Sequence, residues 1–78
     1  MLRAYLLLIC DPEYRFQIAN ILEKMDNVVN VEVVNGPYDL VVEIIFETVV
    51  DLKEKIQNNI QNIDKLMSTL TLILSDDM

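Results

Sequence analysis

This chain of 78 residues has no histidine, one cysteine and one glycine. Without histidine the usual zinc ligand set is missing, and no serine or cysteine stands beside a recognisable base for nucleophilic catalysis. A single cysteine excludes an internal disulfide framework, so Cys10 reads as a reduced thiol and a small buried hydrophobe. Basic residues are also scarce: six against thirteen acids, a net charge of -7. The six (Arg3, Arg15, Lys24, Lys53, Lys55 and Lys65) are scattered, so neither a nucleic acid nor an anionic membrane surface is an expected partner. No run approaches the roughly 20 apolar residues of a membrane span, and the first ten residues are too short for a signal peptide. The expectation is a cytoplasmic protein without metal or cofactor, since the acids show no EF-hand-like spacing.

What is abundant is apolar side chain, at 53% of residues, above the roughly 45–50% of ordinary soluble domains. A chain of this length forms one domain, residues 1–78, with a marginal core. With neither disulfide nor metal to supplement that core, association with other chains is the remaining route.

The pattern along the chain resolves into six elements. Residues 2–9 are an apolar run read as a strand buried on both faces. Asp11-Pro12-Glu13 is a helix start, an acid cap followed by proline in the first turn, and Tyr14, Ile18, Ile21, Leu22 and Met25 trace an apolar stripe. Residues 28–35 form a second strand, with Val29, Val31 and Val33 on one face and Asn30 and Glu32 on the other. In a third, Leu40, Val42, Ile44 and Phe46 alternate with Val41, Glu43, Ile45 and Glu47. Thr48 and Asp51 read as a capping box for a second helix with its stripe at Val49, Leu52, Ile56, Ile60 and Ile63. Residues 66–74 form a fourth strand, Met25 and Met67 fit core positions, and the tail from Ser75 is expected to fray.

The order βαββαβ with short connections predicts an α+β, ferredoxin-like sandwich: a four-stranded antiparallel sheet carrying both helices on one face. The other face stays rich in apolar side chains. It predicts a homodimer through the sheet.

Two polar features stand out. Gly36-Pro37-Tyr38-Asp39 is a specified turn between two strands, with Tyr38 and Asp39 at its mouth. Ser68-Thr69-Leu70-Thr71 is a hydroxyl cluster in an apolar strand. An Asx-type turn explains Asp39 and plain β-propensity explains the threonines. Together, however, a carboxylate and a set of hydroxyls suit a zwitterion such as a free amino acid.

The G-x-Y-D hairpin at Gly36, Tyr38 and Asp39, the following Leu40-Val41-Val42, and the T-x-T strand at Thr69 and Thr71 resemble the effector domain of leucine-responsive/asparagine-type (Lrp/AsnC) regulators. The opening Ala4-Tyr5-Leu6-Leu7 and the strand at 28–34 are similar too, and the resemblance spans residues 2–75. It implies dimers through the sheet, higher homo-oligomers, and an amino-acid effector between dimers. Gly36, Tyr38 and Asp39 would line that pocket, with Ser68, Thr69 and Thr71 opposite. It also implies a stand-alone effector domain without a helix-turn-helix, and no enzymatic activity. Two departures are visible: residues 62–67 lack the glycine common there, and Pro37 fills the variable hairpin position.

The implied function is sensing of an amino acid or related metabolite at subunit interfaces, modulating a transcription regulator. The alternative is a pure assembly module that co-oligomerises with a full-length regulator and binds no ligand. Other proteins of this topology fit less well: metal chaperones need C-x-x-C, acylphosphatase-like enzymes a basic anion cradle, and RNA-recognition sheets exposed aromatics. An amino-acid-binding ACT-type domain usually has glycine in the first strand-to-helix loop, where this chain has none.

Overall fold

The computed structural model describes residues 1–74; the expected fraying of the tail lies outside them. Strand β1 (Leu2–Cys10) leads through a 3-10 turn at Pro12–Tyr14 into helix α1 (Arg15–Glu23). Strands β2 (Val28–Val33) and β3 (Leu40–Phe46) follow, then α2 (Val49–Lys55), which continues into a π-turn at Ile56–Ile60, and finally β4 (Leu66–Ile73). The sheet runs β2-β3-β1-β4 with every neighbouring pair antiparallel, so each helix crosses over one strand. This is the ferredoxin-like arrangement that the element order predicts.

Period-2 alternation decides which side chains go inside. Ala4, Leu6, Leu8 and Cys10 of β1 and Leu40, Val42, Ile44 and Phe46 of β3 are buried beneath the helices. Ile18, Ala19 and Leu22 of α1 meet them from above, with Leu52, Ile56 and Ile60 from α2 and its π-turn. Each large side chain buried this way stabilises the fold by about 1.5–3 kcal/mol. Asp11 Oδ1 accepts from Glu13 N–H and caps the 3-10 turn that leads into α1, and Thr48 Oγ1 accepts from Asp51 N–H and caps α2, each at 3.1 Å.

Several sequence expectations change in detail. Met67 is 71% exposed rather than in the core, because a register shift between Ile9 and Cys10 pairs them with Ser68 and Leu66 and leaves Met67 unpaired. A second shift, between Val28 and Asn30, turns Val29 out to solvent in the same way. Ile21 and Val49, expected on the apolar stripes, lie at their exposed margins. Strand β1 is buried on one face only, its other face being partly open in the single chain. No helix among the described residues is long and apolar enough to cross a membrane.

Candidate functional site

The loop between β2 and β3 is held by main-chain bonds at its base and by glycine at its tip. Gly36 has φ +156°, and a Cβ there would meet nothing within 4 Å, so backbone conformation rather than crowding calls for glycine. Val34 N–H donates to Asp39 O at 2.9 Å and Asp39 N–H to Leu8 O at 2.8 Å. The Asp39 carboxylate then reaches across to β1, where Oδ2 accepts from Cys10 N–H at 2.9 Å. Asp39 thus has a backbone role, but a long-range one rather than the local Asx turn. Its Oδ1 has no hydrogen-bond partner among the described residues. Tyr38 is half-buried beside it, and Gly36 is exposed.

Register places the hydroxyls of β4. Thr69 lies opposite Leu8 and Thr71 opposite Leu6, so both share the helix-covered side with those leucines. Ser68 lies opposite Ile9, on the open side. Ser68 and Thr69 border a shallow cleft of about 230 Å³ together with Gln61, Leu66 and Met67; Thr71 lies outside it. Strand β1 runs between the backbone of Asp39 and that of all three hydroxyl residues, about 9–10 Å at the usual strand spacing, with the Asp39 carboxylate itself reaching the β1 backbone. The two groups of candidate residues therefore belong to one end of one sheet without meeting in a single pocket.

Two further residues shape this end, and neither is marked by a motif. Arg15, at the start of α1, donates from Nη1 to Asn35 Oδ1 at 2.9 Å and from Nε to Pro12 O at 3.1 Å, tying the hairpin to the helix. Lys65, just before β4, adopts φ +73°, the left-handed conformation that glycine takes most easily. It supplies that backbone geometry within the segment 62–67, where the expected glycine is missing. Its carbonyl accepts from Asp11 N–H at 3.1 Å, and its Nζ lies 5.5 Å from the centre of the Tyr14 ring.

Cys10 is buried as expected. Burial pushes its thiol pKa up, the Asp39 and Asp11 carboxylates add to that, and the Arg15 guanidinium opposes it. A thiol so disposed stays protonated and unreactive at neutral pH. Among the described residues, no cluster of three or more metal-ligating side chains occurs.

The sheet face away from the helices carries Tyr5, Leu7 and Ile9 of β1, Val41 and Ile45 of β3, and Leu70 and Leu72 of β4. Its polar contribution includes an ion pair, Arg3 Nη1 to Glu43 Oε2 at 3.1 Å, with the Glu43 side chain only 18% exposed. Strand β4 turns Leu70 and Leu72 to this uncovered face and Thr69 and Thr71 toward the helices, on the side that Leu66 and Ile73 share. That polarity is the reverse of what a solitary domain gains from.

The model of the Lrp/AsnC ligand binding domain matches residues 3–77. The chain belongs to this family. Among solved structures, this Lrp/AsnC domain is similar to FFRP-DM1, with 28% identity over 96% of this chain and 100% of that one and a TM-score of 0.92. It is also similar to the hypothetical protein PHS023 from Pyrococcus horikoshii, with 28% identity over 96% of this chain and 90% of that one and a TM-score of 0.90. A more distant structure shares the fold: the transcriptional regulator NMB0573 from Neisseria meningitidis, in complex with L-Met. That likeness has 10% identity over 99% of this chain and 51% of that one, with a TM-score of 0.82. No match was found among curated proteins. The family is one of regulatory ligand-binding domains.

Proposed function

We propose that residues 1–78 form a single effector-binding domain of a cytoplasmic regulatory oligomer, which senses an amino acid or related small metabolite where copies meet and so modulates a transcription regulator. The observation that carries this reading is the separation of Asp39 from Ser68 and Thr69 by the full width of β1. Within one copy the cleft that Ser68 and Thr69 border does not include Asp39. Two copies, one contributing the Gly36-Tyr38-Asp39 hairpin and the other the Ser68, Thr69 and Thr71 segment, bring complementary halves together. Oδ1 of Asp39 is then the acceptor for an ammonium group, with Oδ2 already fixed on Cys10 N–H. The L-Met complex of a distant relative of the same fold supports the choice of ligand class. The inverted polarity of β4 supports homodimerisation through the open sheet face as the first step of assembly.

The test is calorimetry with a panel of free amino acids on wild type and Asp39→Asn. The amide oxygen of asparagine can still accept from Cys10 N–H, while the charge is gone. Saturable binding that weakens about tenfold or more in the variant supports the reading; a panel that gives no heat overturns it.

A second reading, a pure assembly module that joins a full-length regulator without a ligand, is favoured by one observation. Thr69 and Thr71 turn toward the helices, which leaves Ser68 as the one hydroxyl of the set on the open face. Capture of such a regulator, with amino acids leaving the complex unchanged, selects this reading.

A further inference from the structure

Asn35 stands immediately before the single glycine of the chain. The other six asparagines, Asn20, Asn27, Asn30, Asn58, Asn59 and Asn62, are each followed by isoleucine, valine or asparagine. The difference is chemical. The backbone nitrogen of the next residue can attack an asparagine side-chain amide only if it can approach it, and a Cβ on that residue, above all a branched one, obstructs the approach.

Three structural observations favour the reaction at Asn35 beyond the dipeptide itself. Asn35 and Gly36 are both exposed, and a Cβ built on Gly36 would meet nothing within 4 Å, so the loop tip has room to rearrange. Among the described residues the Gly36 N–H donates to no acceptor, since the bonds that close the loop fall on Val34 and Asp39. Finally, Asn35 Oδ1 accepts from Arg15 Nη1 at 2.9 Å, and Arg15 is itself steadied by its Nε on Pro12 O at 3.1 Å. A guanidinium there draws electron density from Cγ of Asn35 and can stabilise the oxyanion that forms when Cγ is attacked.

We infer that Asn35 is a self-modification site, at which the Asn35-Gly36 unit rearranges through a cyclic imide to aspartate and isoaspartate with Arg15 assisting. Hydroxide removes the Gly36 amide proton, and the nitrogen forms a bond to Cγ of Asn35. The bond from Cγ to Nδ2 breaks, and the side-chain nitrogen leaves as ammonia after taking a proton from water. Water then opens the ring at either carbonyl. Opening at the side-chain carbonyl gives aspartate; opening at the main-chain carbonyl gives isoaspartate, with the chain running through Cβ and Cγ. The balance is one water consumed and one ammonia released, with no change of oxidation state.

Either product adds one negative charge to the net -7. Aspartate turns the contact with Arg15 into an ion pair, which binds the hairpin more firmly to α1. Isoaspartate instead lengthens the main chain of the loop whose far end holds Asp39 on Cys10 N–H. The modification does not rest on the effector reading of that hairpin.

The test is incubation of the purified protein at mildly alkaline pH, followed by digestion and mass spectrometry of every asparagine-containing peptide, with electron-transfer fragmentation to separate the two products. Conversion at Asn35 is expected to run about tenfold or more faster than at any other asparagine. Arg15→Gln, whose folding a thermal melt confirms, is expected to slow it about threefold or more in the folded protein. In urea, where the contact is gone, variant and wild type are expected to convert at the same rate. An intact Asn35, equal conversion at another asparagine, folded wild type and Arg15→Gln reacting alike, or a difference between them that persists in urea each overturns the inference.

Discussion

The Asp39 carboxylate and the Cys10 N–H are joined by a 2.9 Å hydrogen bond between residues 29 positions apart in sequence. It fastens the loop before β3 to the last residue of β1, at a point that is partly buried. Replacing Asp39 with alanine leaves that N–H without a partner and is expected to cost about 1–3 kcal/mol. Asparagine, which keeps an acceptor in place, is expected to cost less than half as much. Urea unfolding at one fixed protein concentration measures both.

The open sheet face predicts an assembly that charge should break. Leu70→Lys together with Leu72→Lys places two like charges per copy on the proposed contact surface, far from the helix-side core. Light scattering is expected to show wild type as a multiple of the single-copy mass and the variant shifted toward one copy. A wild type that scatters as single copies at micromolar concentration removes the basis of the interface proposal.

Lys65 at φ +73° predicts a sharp dependence on side-chain shape. Lysine already bears the left-handed cost of about 1–2 kcal/mol common to L-residues, so valine, branched at Cβ, is expected to destabilise only by a further ~1 kcal/mol. Asparagine, which tolerates that region, is expected to cost less, although the contact with the Tyr14 ring is lost in both. Thermal unfolding of the two variants side by side provides the check.

Cys10 sets the sign of a pH effect. Burial, with the Asp39 and Asp11 carboxylates, raises the folded thiol pKa above its ordinary 9.0. Its contribution to stability is therefore complete below the unfolded value and is lost as pH rises from there through the folded value. Cys10→Ala removes that loss. The stability of wild type relative to the variant should be flat from pH 6 to 8 or so and fall above about pH 9, as followed by urea unfolding at each pH.

The sequence made the sheet legible because β1 is a near-continuous apolar run, β3 alternates every second residue and the helix stripes recur every third or fourth, while the single buried face of β1 shows only in the structure. It made Gly36 and Asp39 legible as special residues. Asp39's partner was not legible, because it comes from a strand end 29 positions away. The alternation in β4 offers two faces, leucine and threonine, and hydrophobicity alone would send the leucines under the helices. Pairing with β1 sends them the other way. Met67 is exposed because of a one-residue register shift that no periodicity announces. Lys65 is hidden for a different reason: a lysine carries no mark of the backbone angle it is made to adopt.

Consecutive amides at the end of β1 face different loops. Cys10 N–H is held by Asp39 of the hairpin, and Asp11 N–H by the carbonyl of Lys65 ahead of β4. The loops that carry the two halves of the proposed site are thus hinged on neighbouring peptide units of a single strand. That short segment joins both flanks of the protomer through one pair of adjacent peptide units.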